Sequence, residues 1–244
     1  MAPASRYRPA PRVLTLGDGY ADEVEAAPFP RTVLRFRNQR WAERVGLGEL
    51  DAAAWERHFA RFEPLLCNLP RPLALRYHGH QFGTYNPALG DGRGFLFAQL
   101  RDPETHRLLD LGTKGSGRTP WSRDGDGRLT LQGAVREVLA TEQLEALGVP
   151  TSKTFSVFET GEALYRGDEP SPARSAVLVR LSHSHVRFGT FQRLAYEGDA
   201  PRARRLVEYC LTELYPHIAP GDDPPRALFD AVVARTVDLL AAWM

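Results

Sequence analysis

The chain has 244 residues, 43% of them hydrophobic and 25% charged, and 31 basic against 30 acidic residues leave a formal net charge of +1. This composition is typical of a folded protein and excludes wholesale disorder, while the balanced charge argues against a protein that coats nucleic acid. Two cysteines, Cys67 and Cys210, are too few for a disulfide framework, and no apolar run reaches the roughly 20 residues of a membrane span. We therefore expect a cytoplasmic protein with neither membrane nor nucleic-acid partners.

The N-terminal part is predicted to be an arm followed by two helices. Residues 1–28 begin with a proline-rich stretch, and we expect them to form an exposed arm. Asn38 is a suitable N-cap for a short helix over Gln39–Val45, and Asp51 is one for a second helix over Ala52–Phe62.

Four strands and one long helix are predicted in the middle of the chain. The strands are expected over Gly94–Leu100, Arg107–Lys114, Thr154–Phe158 and Ala176–Arg180, the first two paired antiparallel and the last two joined by a turn over Glu159–Arg174. The helix is expected over Leu129–Leu147, stopped by Gly148. Its predicted apolar face consists of Leu131, Val135, Leu139, Leu144 and Leu147.

The remainder reads as helical, over Pro201–Tyr215 and Pro225–Met244. A small antiparallel sheet with one long helix, followed by helices, is an α+β arrangement. We expect one unit over residues 29–190 and the start of a helical unit over 191–244.

A glycine turn, a lysine and a carboxylate on a predicted helix follow one another along the chain and form a candidate phosphate-binding site. Gly90, Gly92 and Gly94 would let backbone N–H groups approach a polyanion, with Arg93 adding charge. Lys114, one of only two lysines beside 29 arginines, ends a predicted strand, and Glu137 lies 23 residues later on the long helix. Such a lysine–glutamate pair holds phosphate in kinase-like proteins. The ordinary alternatives are a hairpin turn and a surface ion pair.

Arginines form a second candidate cluster. It includes Arg118, Arg123, Asp126 and Arg128 of the loop after Lys114, together with Arg180 and Arg187, which flank a Ser-His-Ser-His stretch. Arginine pairs suit bidentate phosphate contacts, although a solvated basic loop is an equally ordinary interpretation. The histidine doublets His78/His80 and His183/His185 lack suitably spaced partners, which disfavours zinc.

Seven motifs in order make the chain resemble the selenoprotein O (YdiU-type) family. They are His78-Gly-His-Gln-Phe-Gly83, Leu89-Gly-Asp-Gly-Arg93, Lys114-Gly-Ser-Gly-Arg-Thr-Pro-Trp-Ser-Arg123, Gly125-Asp-Gly-Arg128, Arg136-Glu137, Leu147-Gly-Val-Pro-Thr151 and Ser184-His-Val-Arg-Phe-Gly-Thr-Phe191.

The resemblance implies a protein-kinase-like fold and ATP bound in an orientation inverted relative to ordinary kinases. It further implies transfer of AMP, or UMP from UTP, to hydroxyl side chains of protein substrates. Gly90, Gly92, Arg93, Asp126 and Gly127 would then contact the nucleotide. Lys114 and Glu137 would be the phosphate-holding ion pair of the catalytic site, and Arg180 and Arg187 would clamp phosphates.

The family is longer than this chain. Its catalytic-base Asp and its Mg²⁺ or Mn²⁺ ligands are expected beyond Met244, so we expect a truncated chain with no metal ligands and little transfer activity of its own. Three other readings stay open: an inactive nucleotide-binding pseudokinase scaffold, an ordinary kinase that transfers the γ-phosphate, and a nucleic-acid-binding protein.

Overall fold

An antiparallel sheet forms the centre of the molecule, which a computed structural model describes over residues 6–167 and 170–244. Eight strands form it, in the order β1-β3-β6-β7-β10-β9-β2, with β8 beside β10. The strands of this sheet are β1 (Ala21–Glu23), β2 (Val33–Arg37), β3 (Leu73–Leu75), β6 (Leu96–Arg101), β7 (Leu108–Lys114), β8 (Leu129–Thr130), β9 (Lys153–Leu164) and β10 (Ala173–Ser182). A separate hairpin consists of β4 (Gly79–Gln81) and β5 (Thr84–Asn86).

The described residues also form six α-helices. They are α1 (Gln39–Arg44), α2 (Ala52–Phe59), α3 (Leu131–Ala146), α4 (Phe188–Tyr196), α5 (Ala200–Tyr209) and α6 (Pro224–Trp243). A short 3-10 helix covers Arg12–Leu16, and a π-helical turn over Cys210–Leu214 continues α5. The mixed α+β class predicted from the sequence is confirmed. None of these helices combines the length and hydropathy needed to span a bilayer.

Two main apolar clusters pack helices and the N-terminal segment against the sheet. In the first, Trp55 and Phe59 of α2 pack on Phe97 and Phe155 of the sheet, all buried. In the second, the N-terminal segment and helices α4 to α6 pack together on Leu96 and other residues of the same sheet. The helix α3 covers a third, smaller cluster on β9 and β10.

The described part of the N-terminal segment is not an exposed arm. Leu16 and Tyr20 are each only 3% exposed, within the second apolar cluster. The Ala10 amide donates to the carbonyl of Gln99 at 3.0 Å, and the Tyr20 hydroxyl donates to the carbonyl of Arg202 at 2.8 Å. The prediction for residues 1–28 is therefore wrong from residue 6 onward, because apolar side chains between the prolines are buried against the sheet and α5.

The apolar face predicted for α3 is wrong at three of its five residues. Val135, Leu139 and Leu147 are 45%, 64% and 69% exposed, whereas Ala134 is fully buried. Leu131, by contrast, packs against the third cluster. The buried Thr141 hydroxyl is 2.9 Å from that of Thr154 on β9. Small side chains allow the helix to approach the sheet closely, so its buried face differs from the predicted leucine stripe.

The other predicted elements are confirmed with shifted bounds. Asn38 and Asp51 cap α1 and α2 through their side chains, but α2 ends at Phe59 because Phe62 has a left-handed φ of 58° and packs on Phe95. Half of the turn predicted over residues 159–174 is instead strand, and its Asp168 and Glu169 lie outside the described residues. The strands β1 to β5 were not predicted.

Candidate functional site

An ion-pair cluster joins the end of β7 to the middle of α3. Lys114 is the last residue of β7, and its Nζ contacts Glu137 Oε1. Nη1 of Arg180, on β10, lies 3.6 Å from the other carboxylate oxygen of Glu137. The three side chains are 21–30% exposed, which leaves them accessible to a ligand. The structure thus brings these three residues together, while their part in binding remains a prediction.

Backbone pairing and helix packing set this arrangement. Arg180 is the cross-strand partner of Gly112, two residues before Lys114, so β7 and β10 present both cations on the same face of the sheet. Thr130 is the N-cap of α3, and its hydroxyl accepts a hydrogen bond from the Gly133 amide at 3.1 Å. The close packing of Ala134 on the sheet then brings Glu137, one turn later, over the cations.

The glycine turn packs tightly on the loop that follows β7. A Cβ added to Gly90 would lie 2.3 Å from Trp121 Cγ, and one added to Gly92 would lie 2.7 Å from the Trp121 carbonyl oxygen. The Trp121 indole donates to Asp22 Oδ2 on β1 at 2.9 Å. Contact within the chain therefore already requires glycine at both positions, and nucleotide contact there remains a prediction.

The two arginines predicted to clamp phosphates share a cavity. Arg180 and Arg187 both line a hollow of about 180 Å³ beside the segment that connects β10 to α4. Arg187 Nη2 lies 3.6 Å from Asp91 Oδ1, in the glycine turn. Burial raises the pKa of Asp91, an effect that the neighbouring Arg187 opposes. Arg187 thus links the connecting segment to the turn.

A larger cavity of about 630 Å³ contains the lysine–glutamate pair. Among the described residues, its charged lining consists of four cations, Arg93, Lys114, Arg136 and Arg166, and one carboxylate, Glu137. Because Arg180 also reaches Glu137, the two cavities adjoin through this ion pair. A surplus of cations in a cleft attracts polyanions and raises their local concentration.

Asp126 and Gly127 lie one contact further away. Asp126 Oδ2 is 2.8 Å from Arg166 Nη1, so the carboxylate orients a cation that lines the larger cavity. Burial acts to raise the pKa of Asp126, but hydrogen bonds from Arg166 and the Arg128 amide outweigh it and lower the pKa. A Cβ on Gly127 would lie 2.1 Å from the Gly117 carbonyl oxygen, which accounts for glycine there.

The other predicted cations bind within the chain. Arg118 donates to the Gly125 carbonyl, Arg123 to Gln81 and Arg128 to Glu162, each at 2.9 Å. These contacts stabilise the loop and connect it to β4 and β9. The second lysine, Lys153, lies 3.1 Å from Glu145 and 5.5 Å from the centre of the Trp41 ring.

The histidine doublets have protein partners. His78 Nδ1 lies 2.8 Å from the Tyr85 hydroxyl, and His185 Nδ1 lies 3.2 Å from Asp110 Oδ2. Within residues 6–167 and 170–244, no three His, Cys, Asp or Glu side chains converge as metal ligands would.

Sequence reasoning missed Asp91, Asp110 and the anchoring of His185. Asp91 stands between two glycines of a quoted motif, and a carboxylate in so basic a region was a usable signal. No pattern indicated that Asp110, inside an apolar strand, pairs with His185 across 75 residues.

A family model described as protein adenylyltransferase SelO matches residues 4–244, and the chain belongs to this family. The resemblance seen in the sequence is thereby confirmed.

Several proteins similar to this chain are named protein nucleotidyltransferases. The chain is 54% identical over 240 residues to protein nucleotidyltransferase YdiU of Gloeobacter violaceus, which covers 98% of the chain and 48% of that relative. It is 49% identical over 238 residues to the protein of the same name from Synechococcus elongatus, covering 98% and 47%, and 39% identical over 229 residues to that of Cereibacter sphaeroides, covering 93% and 46%. The chain thus spans about half the length of these relatives.

Proposed function

We propose that the chain forms the nucleotide-binding part of a protein adenylyltransferase, which transfers AMP from ATP to hydroxyl side chains of proteins. The observation that carries the proposal is the Lys114–Glu137–Arg180 cluster, open to a cationic cavity, in a chain of the SelO family. The names of its relatives, protein nucleotidyltransferases, support the same reaction class.

The cluster suits a triphosphate for an electrostatic reason. Glu137 neutralises only part of the charge of Lys114 and Arg180, and their remaining N–H donors are available to phosphate oxygens. Arg93 and Arg187 would extend the contact along the polyphosphate, because they line the two adjoining cavities. Gly90, Gly92, Asp126 and Gly127 complete the proposed nucleotide contacts.

We infer a kinase-like arrangement in which ATP is inverted. With the β- and γ-phosphates held by the arginine pair, the α-phosphate would face the acceptor hydroxyl. The acceptor oxygen would form a bond to the α-phosphorus while the bond from that phosphorus to the bridging oxygen breaks, releasing pyrophosphate. Cations around the leaving pyrophosphate stabilise the charge that develops there. UTP would bind through the same contacts, because these contacts are made to phosphate groups.

No residue of the chain is assigned as catalytic base or metal ligand. Mg²⁺ or Mn²⁺ bound with the triphosphate would further neutralise its charge.

Isotope position distinguishes the reaction classes. We expect the protein to label a protein acceptor from α-labelled ATP and not from γ-labelled ATP. Label from γ-labelled ATP would instead indicate an ordinary kinase, and nucleotide binding without either label would indicate a scaffold. Failure of the chain to bind ATP would contradict the proposal.

A further inference from the structure

The segment between β10 and α4 is anchored to β7 by His185. The backbone amide of His185 donates to Asp110 Oδ2 at 2.7 Å, and Nδ1 of its ring lies 3.2 Å from the same oxygen. The two side chains are only 10% and 5% exposed. The anchor lies two residues before Arg187, and His185 lines the cavity that Arg180 and Arg187 share.

The strand β7 has a matching recess for the ring. A Cβ added to Gly112 would lie 2.1 Å from His185 Nε2 and 2.4 Å from Cε1. Gly112 is the cross-strand partner of Arg180 and stands two residues before Lys114. The imidazole therefore packs on the strand beside the first clamp arginine while its own segment carries the second.

The other carboxylate oxygen of Asp110 is hydrogen-bonded as well. Gln99 Nε2 donates to Asp110 Oδ1 at 2.7 Å, and Gln99 Oε1 accepts from the Val13 amide at 2.7 Å. Asp110 and Gln99 are almost fully buried. A buried carboxylate with each oxygen hydrogen-bonded is a fixed point, because leaving either oxygen unpaired is costly.

We infer that His185 is a positioning residue, which acts through Arg187. Arg180 is fixed by the sheet, but Arg187 belongs to a connecting segment whose location on β7 depends on the His185–Asp110 contact. The contact sets the separation of Arg187 from Arg180 and Lys114, and thereby the fit of a triphosphate. Such fits tolerate errors of only about 0.5 Å. The inference rests on the proposed nucleotide site.

A double-mutant cycle on the chain tests this role, with ATP affinity measured by calorimetry. We expect His185→Leu to weaken ATP binding about tenfold, whereas His185→Asn, whose amide can still donate to Asp110, stays within about twofold of the wild type. In the Arg187→Ala background, His185→Leu should cause no further loss. Circular dichroism confirms that each variant is folded.

Gly112→Ala supplies a second test that removes no polar group. It should displace the imidazole and weaken ATP binding as His185→Leu does. Wild-type affinity in His185→Leu, or an equal loss with and without Arg187, would overturn the positioning role while leaving the nucleotide site intact. Absence of ATP binding by the wild-type chain would overturn the proposed function together with this inference.

Discussion

Two carboxylates of the molecule, Glu137 and Glu159, are each surrounded by cations, yet their environments differ. Glu137 is 21% exposed, lines the larger cavity and meets Lys114 and Arg180. Glu159 is only 6% exposed, and both of its oxygens are engaged by Arg35 and Arg174, with Arg31 at 3.8 Å.

The difference indicates what each cluster does. Around Glu159, the two main guanidinium groups direct their N–H donors at one carboxylate, so the contacts join β2, β9 and β10. Around Glu137, donors of the cations remain available beside an open cleft. The same chemistry therefore joins three strands at Glu159, whereas at Glu137 it leaves accessible cations, on which the proposed nucleotide site rests.

The largest expected effect is on ligand binding. Lys114→Ala should weaken ATP binding about 10- to 100-fold, because one charge-assisted hydrogen bond to phosphate contributes about 1.5–3 kcal/mol. Calorimetric titration measures it, and the melting temperature should change little because the pair is partly exposed. Lys153→Ala is the matched control and should bind ATP normally. Equal losses in both variants would contradict a specific role for Lys114.

Substitution of Glu159, the carboxylate of the other cluster, should instead affect stability. We expect Glu159→Ala to lower the free energy of unfolding by about 2 kcal/mol, because it removes charged hydrogen bonds that link three strands. ATP affinity should be unchanged. Glu137→Ala should show the reverse pattern, and urea titrations of both variants decide. Similar unfolding losses in the two would erase the distinction between the clusters.

A smaller effect is expected at the glycine turn. Gly90→Ala forces the added methyl group against Trp121 and should cost about 1–3 kcal/mol of stability or an equivalent shift of the loop. Displacement of the loop should weaken ATP binding severalfold. Gly167→Ala, where the Cβ would meet open space, is the control. An unchanged melting temperature together with unchanged ATP affinity in Gly90→Ala would argue against tight packing here.

The contribution of Glu159 to the free energy of unfolding should depend on pH in the acid range. Hydrogen bonds from Arg174, opposed by burial and aided by Arg35, lower the pKa of Glu159 from 4.5 to about 2. Its contribution is therefore fully present above pH 4.5 and is lost as the pH falls through 2. The difference in unfolding free energy between the wild type and Glu159→Gln should shrink over this range. A difference that is constant from pH 5 to pH 2 would refute this pKa.

Regular patterns made part of the fold predictable. The strand ending at Lys114 and the helix carrying Glu137 follow from apolar runs and a terminating glycine. The face of α3 does not, because close packing by Ala134 and Thr141 overrides the apparent leucine stripe. Periodicity marks a face without stating which partner covers it.

Short and nonlocal features escaped prediction. The strands β1, β3, β4 and β5 have three residues each, too few for an alternating pattern. The pairing of Lys114 with Glu137 could be predicted from the sequence, and their part in nucleotide binding stays a prediction. Asp91 and the Asp110–His185 contact depend on tertiary neighbours that no local spacing encodes.

A crystal structure of the chain with a non-hydrolysable ATP analogue would show directly where the triphosphate binds. We expect phosphate oxygens about 2.7–2.9 Å from Lys114 Nζ and from guanidinium nitrogens of Arg180 and Arg187. An analogue bound with its phosphates outside both cavities, and with none of these three side chains in contact, would contradict this expectation.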